Sequence, residues 1–398
     1  MRHILLLTGL IGSLCCVTDT GSASDWAGFA ALEYRGFAHA PLFAEQHQSY
    51  FSALLQPEYR YRPENSKDTF TFIPFARIDQ HDAERSHVDI RELAWVNVQD
   101  DHEWRIGIRK VFWGVTESQH LVDIINQTDL VENFDAKSKL GQPMLNFALI
   151  KAWGTLDLFV LPYFRERTFI GREGRLRTSP VVASDDAIYQ SAQGQQHVDY
   201  AARWSKAFAD FDLGLSHFVG TSRDPRFLPG TSSSGAAALI PYYDLIQQTG
   251  LEFTAPIGSW LWKLEAIHRS GQARAYTAST AGFEYTYSAL WGTSTDLGVI
   301  FEYLYDSRGV NAFTPFQDDI TLGLRLALND VQSSDLLFTV IQDRHTDARV
   351  FNLEANRRLG NNWKVTIQAR AFSNIPATDP LYSLRRDDYV ELLLARYF

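Results

Sequence analysis

Ile320-Thr321-Leu322-Gly323-Leu324-Arg325-Leu326-Ala327-Leu328 has two unlike faces. Successive side chains of a strand point to opposite sides, so Ile320, Leu322, Leu324, Leu326 and Leu328 share one face, and Thr321, Gly323, Arg325 and Ala327 share the other. The leucine face requires an apolar surrounding and the arginine face a polar one. Lipid outside and water inside meet both demands, because a charged Arg or Lys at mid-bilayer costs about 2–4 kcal/mol. The same split recurs at 297–305, where Leu297, Val299, Phe301, Tyr303 and Tyr305 oppose Gly298 and Glu302. It recurs again at 363–371, where Trp363, Val365, Ile367, Ala369 and Ala371 oppose Lys364, Thr366, Gln368 and Arg370. In 88–98 the pattern breaks, since Glu92 falls on the face of Val88, Ile90 and Val96; a bulge or a reversed face is expected there.

From Trp26 to Phe398 these segments alternate with two kinds of connection. Odd connections fall at 39–48, 80–86, 114–144, 167–196, 222–240, 270–276, 306–317, 344–347 and 374–386. Even ones fall at 63–68, 99–102, 154–155, 209–210, 255–259, 289–293, 330–333 and 360–362, none longer than about six residues. Long loops on one side and tight turns on the other belong to a transmembrane antiparallel up-and-down β-barrel, the lipid-spanning sheet that leaves no unpaired edge. At roughly 20 residues per strand and connection the chain supports about 18 strands, with 14 as a lower bound, in a single domain over 24–398.

Residues 1–23 read as a secretory leader. Arg2 and His3 precede the apolar run Ile4–Leu14, and Gly21 and Ala23 occupy the small-residue positions before Ser24. Cys15 and Cys16 would leave with it, so no disulfide framework is expected. A lipoprotein leader is the alternative, but small residues do not fill both positions before either cysteine. No later apolar run is long enough for a transmembrane helix. The mean hydropathy of −0.20 hides the apolar face, because inward polar residues dilute it. A net charge of −10 argues against nucleic acid as a partner.

Aromatic placement supports the barrel independently. Trp104, Trp153, Trp260, Trp262, Trp291 and Trp363 flank the tight turns, and indole rings prefer the headgroup level of a bilayer. A secreted all-β domain or a propeller, the soluble alternatives, would bury Trp in a core.

The terminal segment Tyr389-Val390-Glu391-Leu392-Leu393-Leu394-Ala395-Arg396-Tyr397-Phe398 resembles the closing strand of Gram-negative porins, although Arg396 stands where those strands often carry an aromatic or apolar residue. The resemblance implies recognition of the strand ending in Phe398 by the barrel-assembly machinery, and residence in the outer membrane of a Gram-negative bacterium.

The third long connection is the most distinctive. It begins Trp113-Gly114-Val115-Thr116-Glu117-Ser118, and Asp123, Asn126, Asp129, Glu132 and Asp135 follow, with Lys137, Lys139 and Pro143 beyond. Leu121, Val122, Ile124 and Ile125 recur at helical spacing, with Thr116 or Ser118 as N-cap, which predicts one short helix. An apolar stripe in an external loop must be covered, and the lumen wall is the available partner, so the loop is expected to fold inward and narrow the pore. Trp113-Gly114, Glu117, Asp123, Asn126 and Asp129 also resemble a Trp-Gly…Asp-x-x-Asn-x-x-Asp pattern in an uncharacterised proteobacterial outer-membrane family. Two departures are Ile108, where Gly often precedes the Arg, and Gln127, where Pro is frequent. That family brings no established substrate. The order and length of this loop resemble the constriction loop of general porins.

Acids of 114–144 outnumber Lys137 and Lys139, which predicts an acidic rim and a mild preference for cations. Calcium at Asp123, Asn126, Asp129 and Glu132 is a weaker reading, because EF-hand spacing is absent; no metal or other cofactor is expected. Arg77, Arg91, Arg105, Arg109, Arg165, Arg203, Arg325 and Arg370 face inward as pore-lining residues, with Asp89, Asp157, Asp199, Asp212, Glu284 and Glu302. The lumen is then either water-filled or salt-bridged.

Catalysis has only scattered candidates: Ser216 with His217 on opposite faces of one strand, His268 near an outer strand end, and His345 between Asp343 and Asp347 at an external turn. No enzyme is expected, and an outer-membrane hydrolase is the lesser alternative. Two functions remain. One is a porin-like channel, monomeric or trimeric, for passive diffusion of small hydrophilic solutes. The other is a plugged surface receptor or structural barrel, with external loops 167–196 and 222–240. Ser232–Ala238 reads as flexible, and Arg172, Arg175 and Arg177 as a basic patch for lipopolysaccharide phosphates.

Overall fold

The computed structural model describes residues 22–398 apart from Phe313. The leader expected over 1–23, with Cys15 and Cys16, therefore lies outside the described residues, except that Ser22 and Ala23 open the first strand. The strands are β1 (Ser22–Phe37), β2 (Ser49–Pro63), β3 (Asp68–Asp79), β4 (His87–Val98), β5 (His102–Arg109), β6 (Gln142–Lys151) and β7 (Gly154–Leu161). After β8 (Ile188–Tyr189) come β9 (Asp199–Ala207), β10 (Asp212–Thr221), β11 (Arg226–Thr231), β12 (Ala237–Tyr243), β13 (Leu245–Ile257) and β14 (Trp260–Ser270). The last are β15 (Tyr276–Tyr287), β16 (Asp296–Asp306), β17 (Asp318–Ala327), β18 (Asp335–Asp343), β19 (Arg349–Leu359), β20 (Trp363–Ser373) and β21 (Tyr389–Tyr397).

All but β8, β11 and β12 join one 18-stranded sheet, each strand antiparallel to its neighbour in chain order. β1 then pairs with β21, Leu32 opposite Leu394, which shuts the barrel. Closure satisfies the backbone groups that an edge would leave bare. The faces follow the alternation: Leu322 and Leu324 are 58% and 46% exposed on the outside, whereas Thr321 and Glu302 are 1% and 0% exposed within. Trp104, Trp153, Trp260, Trp262, Trp291 and Trp363 are all exposed near the short-turn ends. The indole of Trp204 donates to the carbonyl of Trp153 at 3.2 Å.

In β4 the irregularity is a bulge. Ile73 pairs with Glu92 and Pro74 with Ile90, so Arg91 is the extra residue. The phase changes there: Val88 and Ile90 are exposed outward, and beyond the bulge Leu93 is exposed while Ala94 is buried, which takes Glu92 off the lipid face.

Two turns depart from the expected brevity. The connections 288–295 and 328–334 are longer because side chains take over turn amides: Asp296 accepts from Ala289 N–H at 2.9 Å, and Asp330 from Ser334 N–H at 2.8 Å. The Ser232–Ala238 segment is not a loose loop. It turns the hairpin of β11 and β12, and β8 adds to that hairpin in parallel.

The helix expected around 121–125 is absent. Amides at its start are taken elsewhere, Thr116 and Val122 N–H both by Glu265. Thr116 and Ser118 do not cap it either, since the Thr116 hydroxyl lies between Gln119 O at 2.6 Å and Glu265 Oε1 at 2.7 Å and the Ser118 hydroxyl donates to Glu302. A side chain that satisfies backbone groups offers the chain an alternative to helix.

Candidate functional site: the loop across the lumen

Residues 110–141 leave β5, cross the lumen and return to β6. Asn126 ties the neck: its Nδ2 donates to Arg109 O and Leu140 O, each at 2.8 Å. Trp113, Val122, Ile124 and Ile125 then pack with the inward Met144, Phe159, Phe218, Ile246 and Ile267 of the wall. Each such side chain contributes about 1.5–3 kcal/mol on burial. Gly114 holds φ +137°, a backbone conformation that L side chains rarely adopt, and a Cβ there would press on Glu265 Oε1 at 3.0 Å, so a side chain after Trp113 would be strained.

Two buried wall carboxylates hold the far end. Glu265 Oε1 accepts from Val115 N–H at 2.7 Å, from Thr116 N–H at 3.0 Å and from the Thr116 hydroxyl at 2.7 Å. Glu302 accepts from Glu117 N–H at 2.7 Å and Ser118 N–H at 2.8 Å. Such charge-assisted bonds to backbone donors are among the strong ones.

The loop acids meet cations in turn. Glu117 Oε2 pairs with Arg325 at 2.5 Å and its Oε1 with Lys137 at 3.1 Å. Asp123 pairs with Lys139 at 3.2 Å, Asp129 with Arg91 at 2.7 Å, Glu132 with Arg77 at 2.7 Å, and Asp135 with Arg370 at 3.1 Å. Burial pushes the Glu117 carboxyl up, but Lys137 and Arg325 outweigh it and hold the group below its ordinary value. Burial prevails at Asp123, whose carboxyl is pushed up despite Lys139. No acid of the expected rim is a free charge, so the ground for a cation preference is gone; the lumen is salt-bridged, and mixed in sign.

Behind this layer Arg77 also meets Glu33 at 2.8 Å, Arg85 meets Glu33 at 2.7 Å, and Arg35 meets Glu391 at 2.5 Å. Arg105 and Arg109 lie lower, with Arg105 bonded to Asp157 at 3.1 Å and Arg109 reaching Asn146 Oδ1 at 3.4 Å. His87, Asp129 and Glu132 could together offer three ligand atoms to a metal. Both carboxylates already carry Arg91 and Arg77, which opposes a cation there.

On the long-loop side, 162–198, 222–244 and 374–388 fold over the mouth. Arg175 donates to Asp387 at 2.7 Å, Arg223 to the carbonyl of Ile125 at 3.1 Å, and Arg167 and Arg269 both pair with Asp224. Arg175 and Arg177 are thus buried among loops, and only Arg172 of the expected basic patch is exposed. The cavity in this layer, lined by Arg35, Tyr50, Asp82 and Arg175, measures about 10 Å³. Lower down, a cavity of about 540 Å³ opens at Lys151, Arg203, Lys206 and Asp212, and one of about 510 Å³ lies against β1, β2 and β21. Phe112 lines both.

Ser216 and His217 do lie on opposite faces, and His217 meets Thr249 outside. His345 pairs with Asp318 at the surface. Missing from the sequence reading were Glu33, Glu265, Lys110 and Phe112. Strand parity with Lys263 would have marked Glu265 as inward, but nothing local marks its partner.

No protein-family model and no curated protein matches the sequence. Solved structures do. A BenF-like porin from Pseudomonas fluorescens Pf-5 superposes with a TM-score of 0.53 at 11% identity, over 95% of this chain and 98% of that one. The barrel has the porin fold. A mutant porin of Rhodopseudomonas blastica aligns over 94% of this chain and 100% of that one, at 10% identity and a TM-score of 0.47. At these identities the porin likeness is one of fold.

Proposed function

We propose that the protein is an outer-membrane channel for passive diffusion of small hydrophilic solutes, in which residues 110–141 set the size limit. One observation carries this reading. The loop crosses the lumen, yet leaves cavities of about 540 and 510 Å³ that both border Phe112. The outward aliphatic band and the Trp residues at the short turns favour a bilayer around the barrel, and the aromatic end of β21 favours reading by assembly machinery. Membership of the Trp-Gly…Asp-x-x-Asn-x-x-Asp family, the leader over 1–23, a non-enzymatic role and a trimeric state belong to the same proposal. Contact of lipopolysaccharide with the arginines of 162–198 is limited to Arg172.

Planar-bilayer conductance of the refolded barrel, intact and lacking 117–139, tests it. A conductance that rises on deletion supports a channel with a constricting loop. A second reading, a plugged receptor, is favoured by the packed outer mouth; it requires an intact barrel that is silent and conducts only after deletion. Silence of both overturns the channel.

A further inference from the structure

β10 carries His217 on its outward face at mid-strand, and the ring meets the outward Thr249 of β13 at 2.9 Å. The row continues across the sheet: Thr249 stands opposite His268 of β14, and His268 opposite Thr277 of β15. Gln247, two residues before Thr249, shares that side, and all five residues are exposed. Polar side chains thus cross four neighbouring strands on the face that elsewhere presents Leu322 and Leu324 of β17, Val390 and Leu392 of β21, or Leu158 and Val160 of β7.

These residues do not stand above the bilayer. A strand takes about 9–11 residues to cross it. On β14 His268 follows Trp262, exposed at the short-turn level, by six residues, and on β15 Thr277 precedes Phe283, which packs on Trp262, by six as well. Tyr200 and Tyr305 are exposed at the long-loop ends of β9 and β16, on either side of the row. A polar group inside hydrocarbon is costly without a partner. Yet the side chains of Gln247, His268 and Thr277 make no hydrogen bond among the described residues.

Small residues adjoin the row. Ala266, Ser279 and Ala281 also point outward on β14 and β15, so a second surface can come close to the backbone there. Small residues beside uncharged polar ones are what joins protein segments inside a bilayer. The patch holds no Lys, Arg, Asp or Glu, so it lacks the cations that lipopolysaccharide phosphates require. Its imidazoles, amide and hydroxyls both donate and accept, and a second copy of the chain brings the same uncharged set to the same depth. Five strands from β9 to β15, about 4.8 Å apart, give a wall about 24 Å wide. Over an apolar band about 25 Å tall that is ~600 Å² per copy, or ~1,200 Å² per contact, enough for stable association.

We propose that the outward face of β9, β10 and β13 to β15 is the contact between copies of this barrel within the membrane, with Thr249 and His268 at its centre. The contact rests on the reading of a trimeric membrane barrel and gives that trimer its face. In a closed ring the half with His217, Gln247 and Thr249 on one copy meets the half with His268 and Thr277 on the next.

The test combines Gln247→Leu, Thr249→Leu and His268→Leu in the refolded full-length barrel. Leucine matches the rest of the lipid-facing band, so this variant keeps what folding in a bilayer requires; circular dichroism and heat-modifiable gel mobility check it. Förster transfer between donor- and acceptor-labelled copies in liposomes, diluted with lipid, reads association, and native mass spectrometry counts the copies. The parent should associate, and the leucine variant should do so about tenfold more weakly or worse, with the planar-bilayer conductance of each barrel unaltered. Ala281→Trp should weaken association by bulk, and Leu392→Ala, on the β21 face, should leave it unchanged. Association that the leucine variant does not alter, or that Leu392→Ala weakens equally, overturns this face and leaves the trimer standing. Two copies in place of three, still sensitive to the leucine variant, keep the face and overturn the trimer. A parent that stays monomeric at every dilution, with or without bound lipopolysaccharide, overturns both and leaves the channel untouched.

Discussion

Glu265 reaches Thr116 twice, through the amide at 3.0 Å and the hydroxyl at 2.7 Å, across 149 residues of sequence. A wall carboxylate at 0% exposure therefore sets where the crossing loop ends. The loop is held by designated partners and not by a helix of its own.

Replacing that carboxylate should free the loop before it harms the barrel. Glu265→Ala strands the amides of Val115, Thr116 and Val122, at about 1–3 kcal/mol each where water cannot reach them. The expected result is higher conductance and proteolysis within 110–141, with the strand signal in circular dichroism intact. A variant whose loop resists protease as the parent does would show that the apolar cluster alone suffices.

Glu33 should matter more than Glu132. Glu33 serves Arg77 and Arg85, all three nearly inaccessible, and losing it leaves buried guanidiniums short of a counter-charge, a loss of about 3–5 kcal/mol. Glu132→Gln leaves Arg77 with Glu33. Denaturant unfolding of refolded Glu33→Gln should show a lower midpoint than that of Glu132→Gln; the reverse order would refute the assignment of Glu33 as the hub.

Acid should loosen the outer cap late. Burial pushes the Asp224 carboxyl up, but Arg167 and Arg269 outweigh it and hold it well below the usual carboxylate range. A carboxyl lowered in the folded state stabilises above its unfolded value, and that contribution is lost as pH falls towards the folded one. Hydrogen exchange in 162–198 and 222–244 should therefore stay slow from neutral pH down to about 4 and quicken only below it. Quickening near pH 6 would point to a different latch.

Face assignment has its own test. Leu322→Arg places a charge on the lipid side and should cost about 2–4 kcal/mol of stability in bilayers. Leu322 lies 58% exposed on that side, so the same change should be far milder in a soluble sandwich. Equal stability of parent and variant in liposomes would reject the membrane-facing band.

Strand positions were legible because the signal is local. Ile320 to Leu328 state their two faces without reference to any other residue, and the break at Glu92 announced the bulge at Arg91. The crossing loop was legible as inward from its apolar residues, but its conformation was not. Spacing at Leu121, Ile124 and Ile125 suggested a helix, and carboxylates more than a hundred residues away claimed its amides instead. Charge counting failed likewise. The acids of the loop were correctly seen as many, yet their cations, Arg77, Arg91, Arg325 and Arg370, sit on strands spread around the barrel.

Sequence by itself determined which residues face lipid and which face the lumen, because a strand's period of two fixes the side on which each residue falls. Only the tertiary structure decided which lumen residues meet. A pairing across a lumen depends on the path of the loop between the walls, and that path is the sum of many distant contacts rather than a property of any one segment.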